Sequence, residues 1–79
     1  MKTYEPTPKA IALREYQKAW TEYINYGRSP NRRSFLLYGT AEGCGNVAIA
    51  LGATVEDLKL IRDIAEEIHR YENEKALQA

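Results

Sequence analysis

Apolar side chains that recur at three- and four-residue steps constrain the fold of this 79-residue chain more than any other feature. The last third of the chain carries one such stripe, which is formed by Leu58, Ile61, Ile64, Ala65, Ile68 and Tyr71. A second stripe lies nearer the N-terminus and is formed by Leu13, Tyr16, Trp20, Tyr23 and Ile24. This period places each set along one side of an α-helix, so the sequence predicts an all-α fold.

The first predicted helix has a recognisable signal at each end. Thr7 followed by Pro8 is typical of a helix start, because the Thr oxygen can accept from free backbone N–H groups and Pro has no N–H. Gly27 is typical of the residue that follows a helix, which places this helix at residues 8–26. Proline disfavours helical backbone at the preceding residue, so residues 1–7 are expected to form an extended N-terminal arm.

The middle of the chain allows two interpretations. Ser29 followed by Pro30 resembles another helix start and predicts a second helix at residues 30–51. Three glycines lie at residues 39–45, and the helix could break there because each costs about 1 kcal/mol in a helix interior. In the alternative, two short apolar runs within residues 35–51 form a β-hairpin and the fold is α+β. We prefer the helix because the Ala-rich end of this segment contains few strand-forming residues.

The last helix is expected at residues 54–76, where Thr54 and Asp57 resemble a capping box. The chain is therefore predicted to be one small domain, residues 1–79, with three helices and an N-terminal arm. A chain of this length buries only about 60% of the surface that its unfolded form exposes. We therefore expect a small core that subunit contacts complete, which makes the protein a homo-oligomer.

The charges are divided unequally between the two halves, although the formal net charge is zero. Residues 1–36 carry seven Lys or Arg against three Glu, whereas residues 37–79 carry four against eight Asp or Glu. Complementary halves favour self-association, and a basic region that is also rich in Tyr can bind a flat anion such as a nucleotide.

Residues that could perform catalysis are scarce. His69 is the single histidine, Cys44 is the single cysteine, and a nucleophilic pair would also need a third, orienting group. The sequence has no Cys/His cluster for zinc, and the glycines at residues 39–45 are not followed by the Lys-Ser/Thr pair of a phosphate-binding loop. We therefore expect a protein that is not an enzyme and that holds neither a cofactor nor a metal.

A single cysteine cannot form an intrachain disulfide, and no apolar run approaches the ~20 residues that cross a bilayer. We therefore expect a cytoplasmic location away from membranes, which is the host cell cytoplasm if the protein is encoded by a phage. DNA is a disfavoured partner. Residues 44–63 have the apolar spacing of a helix-turn-helix, but the second helix of that unit is acidic and would repel phosphates.

The basic half supplies the candidate ligand-binding residues, which combine one ring with four cations: Tyr4, Lys9, Lys18, Arg32 and Arg33. Arg32 and Arg33 would lie at a helix start, where positive charge opposes the helix dipole by a few tenths of a kcal/mol. A bound anion would remove that penalty. In the alternative interpretation, the tyrosines of this half lie at the edge of the core and the arginines are solvated.

Three segments carry a resemblance to a known family: Tyr4-Glu5-Pro6-Thr7-Pro8-Lys9, Ser29-Pro30-Asn31-Arg32-Arg33-Ser34 and Asn46-Val47-Ala48-Ile49-Ala50. They are similar to small helical-hairpin phage proteins, of the anti-CBASS and anti-Thoeris sponge type, that sequester cyclic nucleotide signals of bacterial antiviral defence. The resemblance implies a non-enzymatic, symmetric oligomer that binds a cyclic oligonucleotide between subunits. It also implies that Tyr4 stacks on a base and that Lys9, Lys18 or Arg33 contacts phosphate.

A protein–protein interaction module is the alternative function, for example an inhibitor of a host defence complex. A helix-turn-helix regulator is a third and less favoured hypothesis, for the electrostatic reason given above.

Overall fold

The computed structural model describes residues 6–27 and 30–78, and those residues form three α-helices and no strand. The helices are α1, Pro8–Tyr26, α2, Arg32–Ala50, and α3, Val55–Gln78. The prediction of a small, three-helix, all-α domain is therefore confirmed. The expected N-terminal arm lies largely outside the described residues, and so does Tyr4.

Helix α1 has the two end signals that its sequence indicates. The Thr7 hydroxyl accepts a hydrogen bond from the backbone N–H of Ala10 at 3.1 Å, and Pro8 is the first helical residue. Gly27 has a φ of 109°, a left-handed conformation that glycine adopts without strain, and its N–H donates to the carbonyl of Ile24 at 3.2 Å. These contacts satisfy backbone groups that the helix ends would otherwise leave unpaired.

Helix α2 is continuous through its three glycines, so the alternative hairpin at residues 35–51 is wrong and the helix has no break at residues 39–45. It begins at Arg32, two residues later than predicted, because Asn31 is the N-cap. The side-chain oxygen of Asn31 accepts from the backbone N–H of Ser34 at 2.9 Å. Packing against α1 outweighs the low helix propensity of the glycines, as tertiary contacts commonly do.

The turn between α2 and α3 contains Gly52, whose φ of 107° is again left-handed. Helix α3 then begins with the capping box that Thr54 and Asp57 predict. The Thr54 hydroxyl accepts from the Asp57 N–H at 3.1 Å, and the Asp57 carboxylate accepts from the Thr54 N–H at 3.0 Å. The bond from this backbone N–H is the main reason why the pKa of Asp57 lies below its usual value.

Helix α1 is the centre of the fold, since it packs against both α2 and α3 while those two helices contact each other only weakly. The buried apolar residues are mostly alanines, and the two larger ones are Tyr16 and Ile24. No large side chain among the described residues is completely buried. Small side chains between helices let the backbones approach closely but contribute little apolar burial.

Gly45 of α2 lies where side chains of α1 and α3 approach the α2 backbone closely. A Cβ atom at this position would lie 3.1 Å from the Cε1 atom of Tyr16 in α1 and 3.3 Å from the Cδ1 atom of Leu58 in α3. Nothing lies within 4 Å of a Cβ built at Gly39 or Gly43. Only one of the three α2 glycines is therefore required by packing within the subunit.

The folded chain is flat, with principal extents of 43 × 34 × 21 Å. Its radius of gyration is 14.4 Å, whereas a compact domain of this length has about 12 Å. Its accessible surface is 6220 Å², compared with about 4,900 Å² for a typical monomer of the same mass. Over the part of the chain that the structure describes, no helix combines the length and apolar character needed to cross a membrane.

The projecting end of α3 adds to this surface. Residues 70–77 are all exposed, and the last polar contact that α3 makes with α1 is between His69 and Asn25.

We expect Gly45→Ala to destabilise the protein by up to about 2 kcal/mol, because the side chains of Tyr16 and Leu58 must shift to admit the methyl group and this cost exceeds the gain in helix propensity of about 1 kcal/mol. Gly39→Ala is the matched control, and it should stabilise the protein by up to about 1 kcal/mol because it adds helix propensity in open space. Urea unfolding followed by circular dichroism measures both effects. Stabilisation by both substitutions would contradict the packing at Gly45.

Candidate binding surfaces

The candidate cations of α1 lie on different sides of that helix. Lys9 is near the turn between α2 and α3, where a Cβ on Gly52 would lie 3.9 Å from the Cδ atom of Lys9. Its charge also contributes to the low pKa of Asp57. Lys18 is exposed in the middle of α1. Nine residues separate the two lysines, which corresponds to about 14 Å along the helix and to opposite sides of it.

The candidate cations of α2 lie at the other end of the hairpin that α1 and α2 form. Arg32 and Arg33 are exposed in the first turn of α2, and the Arg33 guanidinium lies 5.6 Å from the centre of the Tyr26 ring. Tyr26 is 17 residues from Lys9 along α1, or about 26 Å. The structure therefore does not bring Lys9 together with Arg32 and Arg33 in one subunit.

Four rings pack together on one side of the fold and form what we call the aromatic cluster: Tyr16, Trp20, Tyr23 and Tyr38. The ring centres of Trp20 and Tyr23 are 5.2 Å apart, and those of Tyr23 and Tyr38 are 5.3 Å apart. These distances are typical of favourable aromatic pairs. Tyr16 is thus buried in the core, whereas Tyr23 is half-buried at its edge.

Arg62 links helix α3, which is acidic, to this cluster. Its guanidinium donates to the Tyr16 hydroxyl at 2.9 Å and lies 5.8 Å from the centre of the Trp20 ring. The Tyr38 hydroxyl is hydrogen-bonded to the Glu42 carboxylate, which raises the pKa of Tyr38. The N-terminal stripe in the sequence already places Tyr16, Trp20 and Tyr23 on one side of α1. It does not indicate that Arg62 contacts them, because Arg62 is a charged residue beside the apolar stripe of α3.

His69 takes part in a network of side chains and not in a pair with Cys44. Its Nδ1 atom lies 2.8 Å from the Asn25 side-chain oxygen, and its Nε2 atom lies 3.1 Å from the Asn73 amide nitrogen. Both contacts are satisfied when Nδ1 carries the proton and Nε2 accepts. A pocket of about 410 Å³ adjoins this histidine at the end of α1. Among the described residues no group of His, Cys, Asp and Glu is placed to hold a metal ion.

The predicted apolar stripe of α3 is divided in the structure. Ala65 is buried and Leu58 and Ile61 are half-buried, whereas a second row remains exposed. We call this row the α3 stripe: Leu60, Ile64, Ile68 and Tyr71, which are 60%, 44%, 48% and 65% exposed. The apolar stripe in the sequence is broad, and this breadth indicates that α3 has more apolar surface than one neighbouring helix covers.

A second exposed apolar surface lies along α2. We call it the α2 face, and it consists of Leu36, Thr40, Gly43, Val47 and Leu51 together with Ile11 of α1. Part of it lines an open groove of about 700 Å³ between the first half of α1 and the second half of α2. Leu36 is 63% exposed and Val47 is 54% exposed. Two surfaces of this kind on one small domain are typical of a protein that binds other chains.

We expect Arg62→Ala to destabilise the protein by roughly 1–2 kcal/mol, through loss of the hydrogen bond to Tyr16 and of the contact with the Trp20 ring. Because Trp20 is the single tryptophan, the fluorescence of the folded protein should change as well. Arg70→Ala, at an exposed residue paired with Glu67 on the same helix, is the control and should leave the spectrum unchanged. Equal effects of the two substitutions would contradict the role of Arg62.

Comparisons of this chain with protein-family models, with curated proteins and with solved structures find no match.

Proposed function

We propose that this chain is a non-enzymatic binding protein that recognises another protein through the α3 stripe. The observation that carries the proposal is the exposure of four large apolar side chains in a row on a helix anchored to α1. Residues 60, 64, 68 and 71 have the i, i+4, i+8, i+11 spacing of a helix that inserts into an apolar groove of its partner. Arg62 and Ala65 hold the other side of α3 against α1, so Leu60, Ile64 and Ile68 are presented by a part of the helix that is supported before the partner binds.

The charge of α3 indicates the chemistry of that partner. Residues 55–78 carry seven Asp or Glu against four Lys or Arg, and Arg62 is engaged with the aromatic cluster. The exposed surroundings of the stripe are therefore acidic. A partner with an apolar groove and a basic rim fits this surface, because opposite charges around an interface increase the association rate. A host defence protein is the partner that the resemblance to phage proteins suggests.

We expect Ile64→Lys to weaken partner binding at least tenfold, because it removes one buried apolar side chain worth about 1.5–3 kcal/mol. A pull-down with the wild-type chain identifies the partner, and calorimetry with the purified partner gives the affinity of each variant. Phe35→Lys is the control, since Phe35 is 68% exposed on α2 and lies outside the stripe. Unchanged affinity of Ile64→Lys, or equal weakening by Phe35→Lys, would contradict the proposal.

A second candidate function is the sequestration of a cyclic oligonucleotide messenger, as a phage counter-defence protein. The observation in its favour is the exposed corner where Arg33 lies over the Tyr26 ring, next to Arg32. A guanidinium can pair with phosphate in a two-pronged manner, and stacking of a base on a ring contributes about 1–3 kcal/mol. Because Lys9 is about 26 Å away along α1, a site that used Lys9 as well would have to form between subunits.

Thermal unfolding with cyclic di- and trinucleotides tests this second function. A ligand at 100 times its dissociation constant stabilises by about 2.7 kcal/mol, so the melting temperature should rise by several degrees. Arg33→Ala should abolish the rise, whereas Arg14→Ala, at an exposed cation elsewhere on α1, should preserve it. If no cyclic nucleotide raises the melting temperature, this second function is excluded, and the proposal for the α3 stripe is unaffected.

A further inference from the structure

The α2 face has the pattern of a helix that packs against another helix. Its α2 members follow one another at steps of four, three, four and four residues, which keeps them on one side. The one polar side chain among them is Thr40, and its hydroxyl donates to the Leu36 carbonyl at 3.0 Å within the helix. Burial of the α2 face would therefore leave no side-chain hydrogen-bond donor without a partner. Nothing in the described residues covers this face.

The surface area of the subunit matches a missing interface. The chain exposes about 1,300 Å² more than a typical monomer of its mass. A standard dimer interface removes about 800 Å² from each partner, so the excess is large enough to include one such contact beside the surface that the projecting end of α3 adds.

The α2 face is also complementary to itself. If two α2 helices run antiparallel around a two-fold axis beside Gly43 and Cys44, Leu36 of each lies opposite Leu51 of the other, and Thr40 lies opposite Val47. Gly43 then lies at the axis, where the absence of a Cβ lets the two backbones approach. This arrangement explains why position 43 is a glycine, although packing within one chain does not require a glycine there.

The charges agree with the same arrangement. Helix α2 has no acidic residue in its first turn and no basic residue in its last, which is unfavourable for the dipole of an isolated helix. In an antiparallel pair, Arg32 of one subunit approaches the last turn of the other α2 and the start of its α3, where Glu56 is exposed. Cations near a helix C-terminus and near a carboxylate are stabilising.

We propose that the α2 face binds the α2 face of a second copy of this chain, in an antiparallel, two-fold symmetric dimer. The proposal goes beyond the binding function assigned to the α3 stripe, because it concerns a different helix and a different partner. The dimer carries two α3 stripes, and both stay free to bind.

Light scattering tests the proposal with two matched substitutions. The wild-type chain should have the mass of two 9.0 kDa subunits, and Val47→Lys should have the mass of one. Val47 is 54% exposed in the subunit, so the variant should keep its helical circular dichroism. Leu60→Lys, at a 60% exposed residue of the α3 stripe, should remain a dimer. A wild-type monomer, or a mass that Val47→Lys leaves unchanged, would overturn the proposal.

Cross-linking through Cys44 tests the antiparallel register. Cys44 is the single cysteine and lines the groove beside Gly43, so the two copies of Cys44 should lie close to the axis. A short bismaleimide should therefore join two wild-type chains and fail with Cys44→Ser or Val47→Lys. A wild-type dimer that does not cross-link would rule out this register. Failure of Ile64→Lys to weaken partner binding would affect only the α3 proposal, so the two failures are distinguishable.

Discussion

The close packing of α1 against α2 and α3 determines which side chains the fold can bury. At Gly45 the helices are near enough that one methyl group would collide with Tyr16 or Leu58, and alanines line much of the remaining contact. Such packing fixes the positions of the helices with small side chains. Several of the larger apolar side chains of α2 and α3 consequently remain outside the core, and most of them form the α2 face and the α3 stripe.

The aromatic cluster compensates in part for this small interior. Its four rings come from α1 and α2, and Arg62 attaches the acidic helix α3 to them through Tyr16 and Trp20. This contact fixes the rotation of α3 about its own axis. If Arg62 faces the cluster, the α3 stripe must point away from it, because the two sets lie on different sides of the same helix. The contact of Arg62 with the aromatic cluster and the exposure of the α3 stripe therefore both follow from the same orientation of α3.

The sequence predicts most of the fold because its helix-end signals are local. Thr7 with Pro8, Gly27, and Thr54 with Asp57 each act through hydrogen bonds to residues a few positions away. The start of α2 was less predictable, since Asn31 and Ser29 are both good capping residues and only the structure distinguishes them. Continuity of α2 through Gly45 depends on contacts with distant residues, which a single sequence does not display.

The candidate surfaces were predictable only in part, for the same reason. A stripe on a helix shows that apolar side chains share one side, but it does not show how many of them a neighbouring helix covers. Leu58 and Ile64 belong to one stripe in the sequence, yet the first lies against α1 and the second is exposed. The cations Lys9 and Arg33 belong to one basic half, yet they lie at opposite ends of α1 and α2, because consecutive helices here run antiparallel.

The projecting end of α3 has a consequence for the energetics of recognition. Residues 70–77 are all exposed, so the backbone hydrogen bonds of the last turns lie close to solvent, and these turns can open locally at a lower cost in free energy than the supported part of the helix. Tyr71 lies in this segment, whereas Leu60 lies where α1 supports the helix. A ligand that reaches Tyr71 must first order the backbone around it, which lowers the net affinity gained from that ring. The contribution of each side chain of the α3 stripe to the binding affinity should therefore decrease from Leu60, at the supported end of the helix, to Tyr71 near its C-terminal end.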